Sequence, residues 1–148
     1  MSLALGGAWH RLYTSDVDGF SFNRLQLALL SYAGPTIMII RAAKNGSIFG
    51  AFTSSAWKES KDFFGNSDCL LYQIEPSLGI YRPRRMDRNF MYCNSAARSK
   101  GYDQLAHGIG FGGSSNLSSD PRLYVSETFE DCIASASDTT CIRCRRER

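Results

Sequence analysis

No apolar run in this 148-residue chain approaches the ~20 residues a helix needs to cross a bilayer. The longest, Thr36-Ile37-Met38-Ile39-Ile40, stops far short, so no membrane insertion is expected. Met1 to Trp9 lack a basic leader followed by a sustained apolar region, and Ser2 stands where myristoylation requires glycine. Neither an internal repeat nor a long polar tract marks a solenoid or a disordered chain. The cysteines lack an even count and a regular spacing: Cys69, Cys93, Cys132, Cys141 and Cys144 are scattered through a chain too long to need disulfide stapling. A reducing, cytoplasmic compartment follows as the expectation, and Asn45 and Asn116, each in an Asn-x-Ser sequence, are then loop residues rather than glycan acceptors. A net charge of only +3 falls short of the electrostatic footprint of a nucleic-acid binder.

What is present fits one globular domain with one core. Phe22, Leu25 and Leu29 recur at helical spacing, with Ser21 placed to cap the start and Gly34-Pro35 to stop the chain from continuing as helix. Thr36 to Ala42 and Ser47 to Phe52 read as strands joined through Lys44-Asn45-Gly46, where Asn-Gly supplies the positive φ angles of a tight hairpin. Ser54 to Phe64 lacks strand alternation and reads as a short helix or ordered loop ending at Gly65-Asn66. Cys69 to Glu75, Gly79 to Arg82, Phe90 to Asn94 and Arg122 to Ser126 are short strands between Pro, Gly, Asn and Ser punctuation. Ser95 to Asp120, rich in Gly and Ser, reads as an irregular, exposed connection. The fold class is α+β and mostly β, with antiparallel sheets packed face to face.

A series of ordered matches carries a resemblance. Leu12-Tyr13-Thr14-Ser15, Asp18-Gly19-Phe20-Ser21-Phe22 and Gly34-Pro35-Thr36 are followed by Ile48-Phe49-Gly50-Ala51-Phe52, Ala56-Trp57-Lys58 and Phe64-Gly65. Cys69-Leu70-Leu71-Tyr72, Asn89-Phe90-Met91-Tyr92 and Gly108-Ile109-Gly110-Phe111-Gly112-Gly113 complete it. Over Leu12 to about Thr140 the chain resembles the TLDc domain family of oxidation-resistance and lysosome-associated proteins. Phe90-Met91-Tyr92-Cys93-Asn94 and the glycine run look closest to the branch linked to lysosomes and TOR signalling. The resemblance implies a sandwich of two antiparallel sheets flanked by a few short helices. It also implies a non-catalytic interaction module in oxidative-stress resistance that engages the vacuolar proton pump, the V-ATPase, and is recruited peripherally to endolysosomal membranes. It assigns structural roles to Gly19, Phe20, Gly34, Pro35, Phe49, Gly50, Phe52, Trp57, Phe64, Gly65, Asn89, Phe90, Gly108, Gly110, Gly112 and Gly113.

The family pattern departs at the end. Residues 1–11 read as an N-terminal extension, 12–140 as the domain, and 141–148 as an atypical basic tail. That tail stands where the family has a closing strand, so a C-terminally truncated domain with an unpaired neighbouring strand and marginal stability is expected.

Candidate chemistry is thin. Gly108, Gly110 and Gly113 fit Gly-x-Gly-x-x-Gly, but the polar residues before and the Ser-rich residues after do not supply the strand and helix that a dinucleotide site needs. No cofactor is expected. His107 with Ser114 or Ser115 and Asp103 or Glu127 has the residue types for an activated serine, the alternative hydrolase reading, yet no nucleophile-elbow motif is present. Cys141-x-x-Cys144 is a single pair where structural zinc needs four ligands, and Cys69, Cys93 and Cys132 read as small buried apolar residues. Glu127 and Glu130-Asp131 read as surface charge. Arg82, Arg84, Arg85 and Arg88 form the densest positive patch, suited to an acidic protein surface because guanidinium pairs bidentately with carboxylate.

Overall fold

The computed structural model describes residues 7–85, 88–96, 105–113, 121–137 and 140–145. After a single turn of helix, α1 (Ser15–Asp18), comes α2 (Phe22–Leu30), which buries Phe22, Leu25, Gln26 and Leu29 on one face. Ser21 Oγ accepts the Arg24 N–H at 3.4 Å, satisfying one donor of the first turn. Both the helix and its cap are those the spacing predicts.

Two antiparallel sheets follow. The first runs in the order β1 (Thr36–Arg41), β2 (Ile48–Thr53), β3 (Leu70–Glu75), β4 (Gly79–Tyr81). The second runs β5 (Met91–Asn94), β6 (Gly108–Phe111), β7 (Leu123–Ser126), β8 (Asp131–Ser137), β9 (Thr140–Arg145). Alternation along the strands sends Phe49 and Ala51 from the first sheet, and Met91, Cys93, Ile109, Phe111 and Leu123 from the second, into one core. The apolar face of α2 and Trp57 complete it. Trp57 joins the layers: its Nε1 donates to Thr36 Oγ1 at 2.8 Å, and its ring stands edge-on to Phe111 at 5.6 Å. Thr53 Oγ1 donates to Met91 Sδ at 3.0 Å, a second direct link between the sheets. This is the sandwich that the strand pattern and the family resemblance lead one to expect.

Three local readings are refined or corrected. Ser54 to Phe64 is an ordered loop that covers the free edge of β5: Ser60 N–H donates to Cys93 O at 2.9 Å, and Phe64 exchanges hydrogen bonds with Met91 at 2.8 and 3.1 Å. The 95–120 stretch is not an exposed connection throughout, because Gly108–Phe111 is an internal strand, wholly buried. Its glycines suppress the propensity signal while serving the packing. A Cβ at Gly110 would clash with the ring of Tyr92, coming within 2.1 Å of Cε1; that tyrosine is 1% exposed and edge-on to Phe63 at 5.2 Å.

The expectation that β8 lacks a partner is also corrected. Residues 140–145 pair antiparallel with β8, placing Arg145 opposite Asp131, Cys144 opposite Cys132 and Ile142 opposite Ala134. The premise of an unpaired β8 edge therefore falls.

Gly110→Ala should lower stability by about 1–3 kcal/mol through overpacking against Tyr92, whereas Leu27→Ala, at a position 56% exposed, should change it by less than about 1 kcal/mol. Urea unfolding of both variants checks this; equal stabilities would show that β6 and Tyr92 do not pack as described.

Candidate functional site

One end of the sandwich opens into a cleft of about 410 Å³ between the exit of β4 and the turn after β6. Cys69, Leu71, Phe90 and Phe111, all part of the core or packed against it, give it an apolar lining. Arg82 and Arg84, which follow β4, and Asn89, Gly112, Gly113 and Arg122, from the five-stranded layer, complete its lining. Arg82 and Arg84 are exposed, and Arg122 is half-buried.

Local structure explains how Arg122 reaches this place. Gly112 has φ 68°, a conformation that favours glycine, and its N–H donates to Phe90 O at 3.0 Å. The Arg122 stem runs across the glycine, with Cβ, Cγ and Cδ lying 3.2–3.3 Å from where a Cβ would project. A side chain at position 112 would strain the turn and displace this arginine of the cleft lining.

Of the four arginines singled out in sequence, Arg82 and Arg84 line the cleft, whereas Arg85 and Arg88 are exposed and outside its lining. Arg122 was not among the singled-out residues. Asn89 and Phe90, assigned a structural role by resemblance, lie in the cleft wall, as do Gly112 and Gly113. Phe49, Gly50 and Phe52 belong to β2, and Trp57 bridges the sheets. Phe64 pairs with Met91, and Gly65 sits against the Met91 side chain. Gly19 follows α1, Phe20 stands edge-on to Phe129 at 6.1 Å, and Gly34-Pro35 precede β1.

The glycine motif has no phosphate-loop geometry. Gly108 and Gly110 lie inside β6, paired with Ser126 and Tyr124 of β7. His107 contributes its main-chain oxygen to Tyr124 Oη at 2.7 Å and to the Glu127 N–H at 3.3 Å. Glu127 Oε2 accepts the Ala96 N–H at 3.0 Å. Asp103, Ser114 and Ser115 lie outside the described residues. Among the described residues, no group of His, Cys, Asp and Glu is arranged to hold a metal ion, and no helix is long and apolar enough to cross a membrane.

Among the described cysteines, Cys69 and Cys93 are buried and Cys132 is half-buried. Burial pushes the Cys69 thiol up to about 12, so at neutral pH the cleft holds a protonated, weakly nucleophilic sulfur. Tyr72 is raised to about 12 by burial as well, and Tyr124 by burial together with the nearby charges of Asp131 and Glu127.

These shifts set an alkaline limit. Each group is protonated and neutral when folded, and its pKa is raised above the ordinary 9.0 of the thiol or 10.0 of the phenols. Stability from this source is complete below pH 9 and falls as pH rises toward 12, where the unfolded chain releases protons that the folded chain retains. Denaturant midpoints measured from pH 8 to 12 should decline across that window, and Cys69 should resist alkylation at pH 8 until the protein is unfolded. A flat profile together with rapid native-state alkylation would contradict the burial assigned to these groups.

The chain matches the family model described as the TLDc domain over residues 4–146. It is 35% identical over 105 residues to the MTOR-associated protein MEAK7 of Xenopus laevis, covering 71% of this chain and 21% of that protein. Identity to the human MTOR-associated protein MEAK7 is 29% over 108 residues, covering 73% of this chain and 22% of the relative. The oxidation resistance protein 1 of Xenopus tropicalis is 28% identical over 140 residues, covering 90% of this chain and 15% of its own length. The chain thus spans about a fifth of the length of the first relatives it matches. With the family model covering nearly the whole chain and the β sandwich in place, this chain belongs to the TLDc domain family.

Proposed function

We propose that the chain is a non-catalytic interaction module that serves oxidative-stress resistance and endolysosomal regulation by docking on the V-ATPase. Its relatives are named for association with MTOR and for oxidation resistance, which supports a role in stress and nutrient signalling exerted through protein partners. The observation that carries the reading is the arginine-bordered cleft: it offers fixed positive charge beside apolar surface, the combination that protein interfaces use to hold carboxylate-bearing partners. Guanidinium suits this work because it stays charged at every physiological pH and pairs with both oxygens of a carboxylate. The ionisable sulfur in the cleft is protonated at neutral pH, which favours binding over covalent chemistry there. In this reading the protein is cytoplasmic and reaches lysosomal or vacuolar membranes peripherally, through the pump.

Purified V-ATPase immobilised on a sensor surface should capture the chain, and the double variant Arg82→Glu with Arg84→Glu should bind at least about tenfold more weakly, with a smaller loss of affinity on raising salt. Both arginines are exposed, so the fold should survive the change. Failure of the unaltered chain to bind would sink the V-ATPase assignment. Unchanged affinity in the double variant would remove the cleft from the interface.

A further inference from the structure

We infer that the cleft takes a short partner segment with one large apolar side chain, aromatic or leucine-sized, flanked on both sides by carboxylates; this rests on the docking role proposed above. The cleft is not a flat basic patch. Leu70, Leu71, Tyr81, Pro83 and Phe90 line it with surface left open to solvent, and the lining runs on to the buried Cys69 and Phe111 of the core, so an inserted side chain packs against apolar atoms continuous with the sandwich interior. At about 410 Å³ the space suits a side chain with a few flanking atoms, not a second folded surface. Charge at its mouth comes from both layers: Arg82 and Arg84 leave β4 of the four-stranded sheet, while Arg122 enters β7 of the five-stranded one. An acidic residue on either side of a seated anchor therefore faces a guanidinium.

That arrangement states what the partner must carry. The apolar lining alone would accept any greasy residue, and the arginines alone would accept any anion; only a segment with both features satisfies the cleft at once. A nucleic acid fits less well, because the chain's net charge is only +3.

Fluorescence anisotropy with a labelled peptide bearing a central phenylalanine between pairs of aspartates provides the test. Binding in the micromolar range is expected, weakened at least about tenfold when the phenylalanine becomes alanine and when the aspartates become asparagines. Arg82→Glu should weaken it by a similar factor, with the melting temperature unchanged, and Arg122→Glu should act in the same direction from the other layer. No binding, equal binding of the alanine peptide, indifference to Arg82→Glu, or tighter binding of a single-stranded oligonucleotide of equal charge would each overturn the inference. The pump experiment keeps the two claims separate. Capture by the pump that depends on Arg82 and Arg84, with no peptide binding, would leave the docking role standing and defeat the anchor; peptide binding without pump capture would do the reverse.

Discussion

The Trp57 side chain holds the two sheets in their relation, and the cleft depends on that relation. Its indole nitrogen is fixed on Thr36 of β1 while its ring meets the Phe111 edge in β6, so one residue from an ordered loop sets contact between the layers. Phe111 in turn faces the cleft, so the residue that receives the indole also lines the candidate binding space. Loss of a buried tryptophan typically costs about 3–5 kcal/mol. Here it would also remove the support beneath the site, coupling stability and binding in a single contact.

Polar groups reinforce that geometry on the other side of the core. Gln26, 1% exposed on α2, donates to Glu59 at 3.3 Å and approaches Cys93 Sγ at 3.6 Å. The other oxygen of Glu59 accepts both the N–H and the hydroxyl of Ser95 at 3.3 Å. A helix, a loop and the residue that follows β5 thus share one carboxylate. Such a bridge is costly to leave half-made and so helps specify how these pieces dock.

Much of the fold is legible in the sequence because burial is written there as period. Phe22, Leu25 and Leu29 report α2, and Thr36 to Phe52 report a hairpin with turn residues between apolar runs. β6 is hidden because glycine at positions 108 and 110 carries no hydrophobic signal, although the absent side chains are what let Tyr92 lie across Gly110 and the Val125 carbonyl approach Gly108. β9 is hidden because Arg143 and Arg145 interrupt its apolar signal. Half of the site is legible as well: Arg82 and Arg84 announce themselves by density. Arg122 does not, since its placement depends on a turn at Gly112 and on strand order, neither of which local composition encodes.

The central claim is that a protein partner is held at the open end of the sandwich, between the arginines of the two sheets. Hydrogen–deuterium exchange of the chain, alone and bound to purified V-ATPase, tests it most directly. Slowed exchange concentrated around Arg82–Arg84, Phe90 and Gly112–Gly113 is the predicted result. Protection confined to the outer face of β1 or to the segment around His107, with the cleft exchanging as in the free chain, would contradict it.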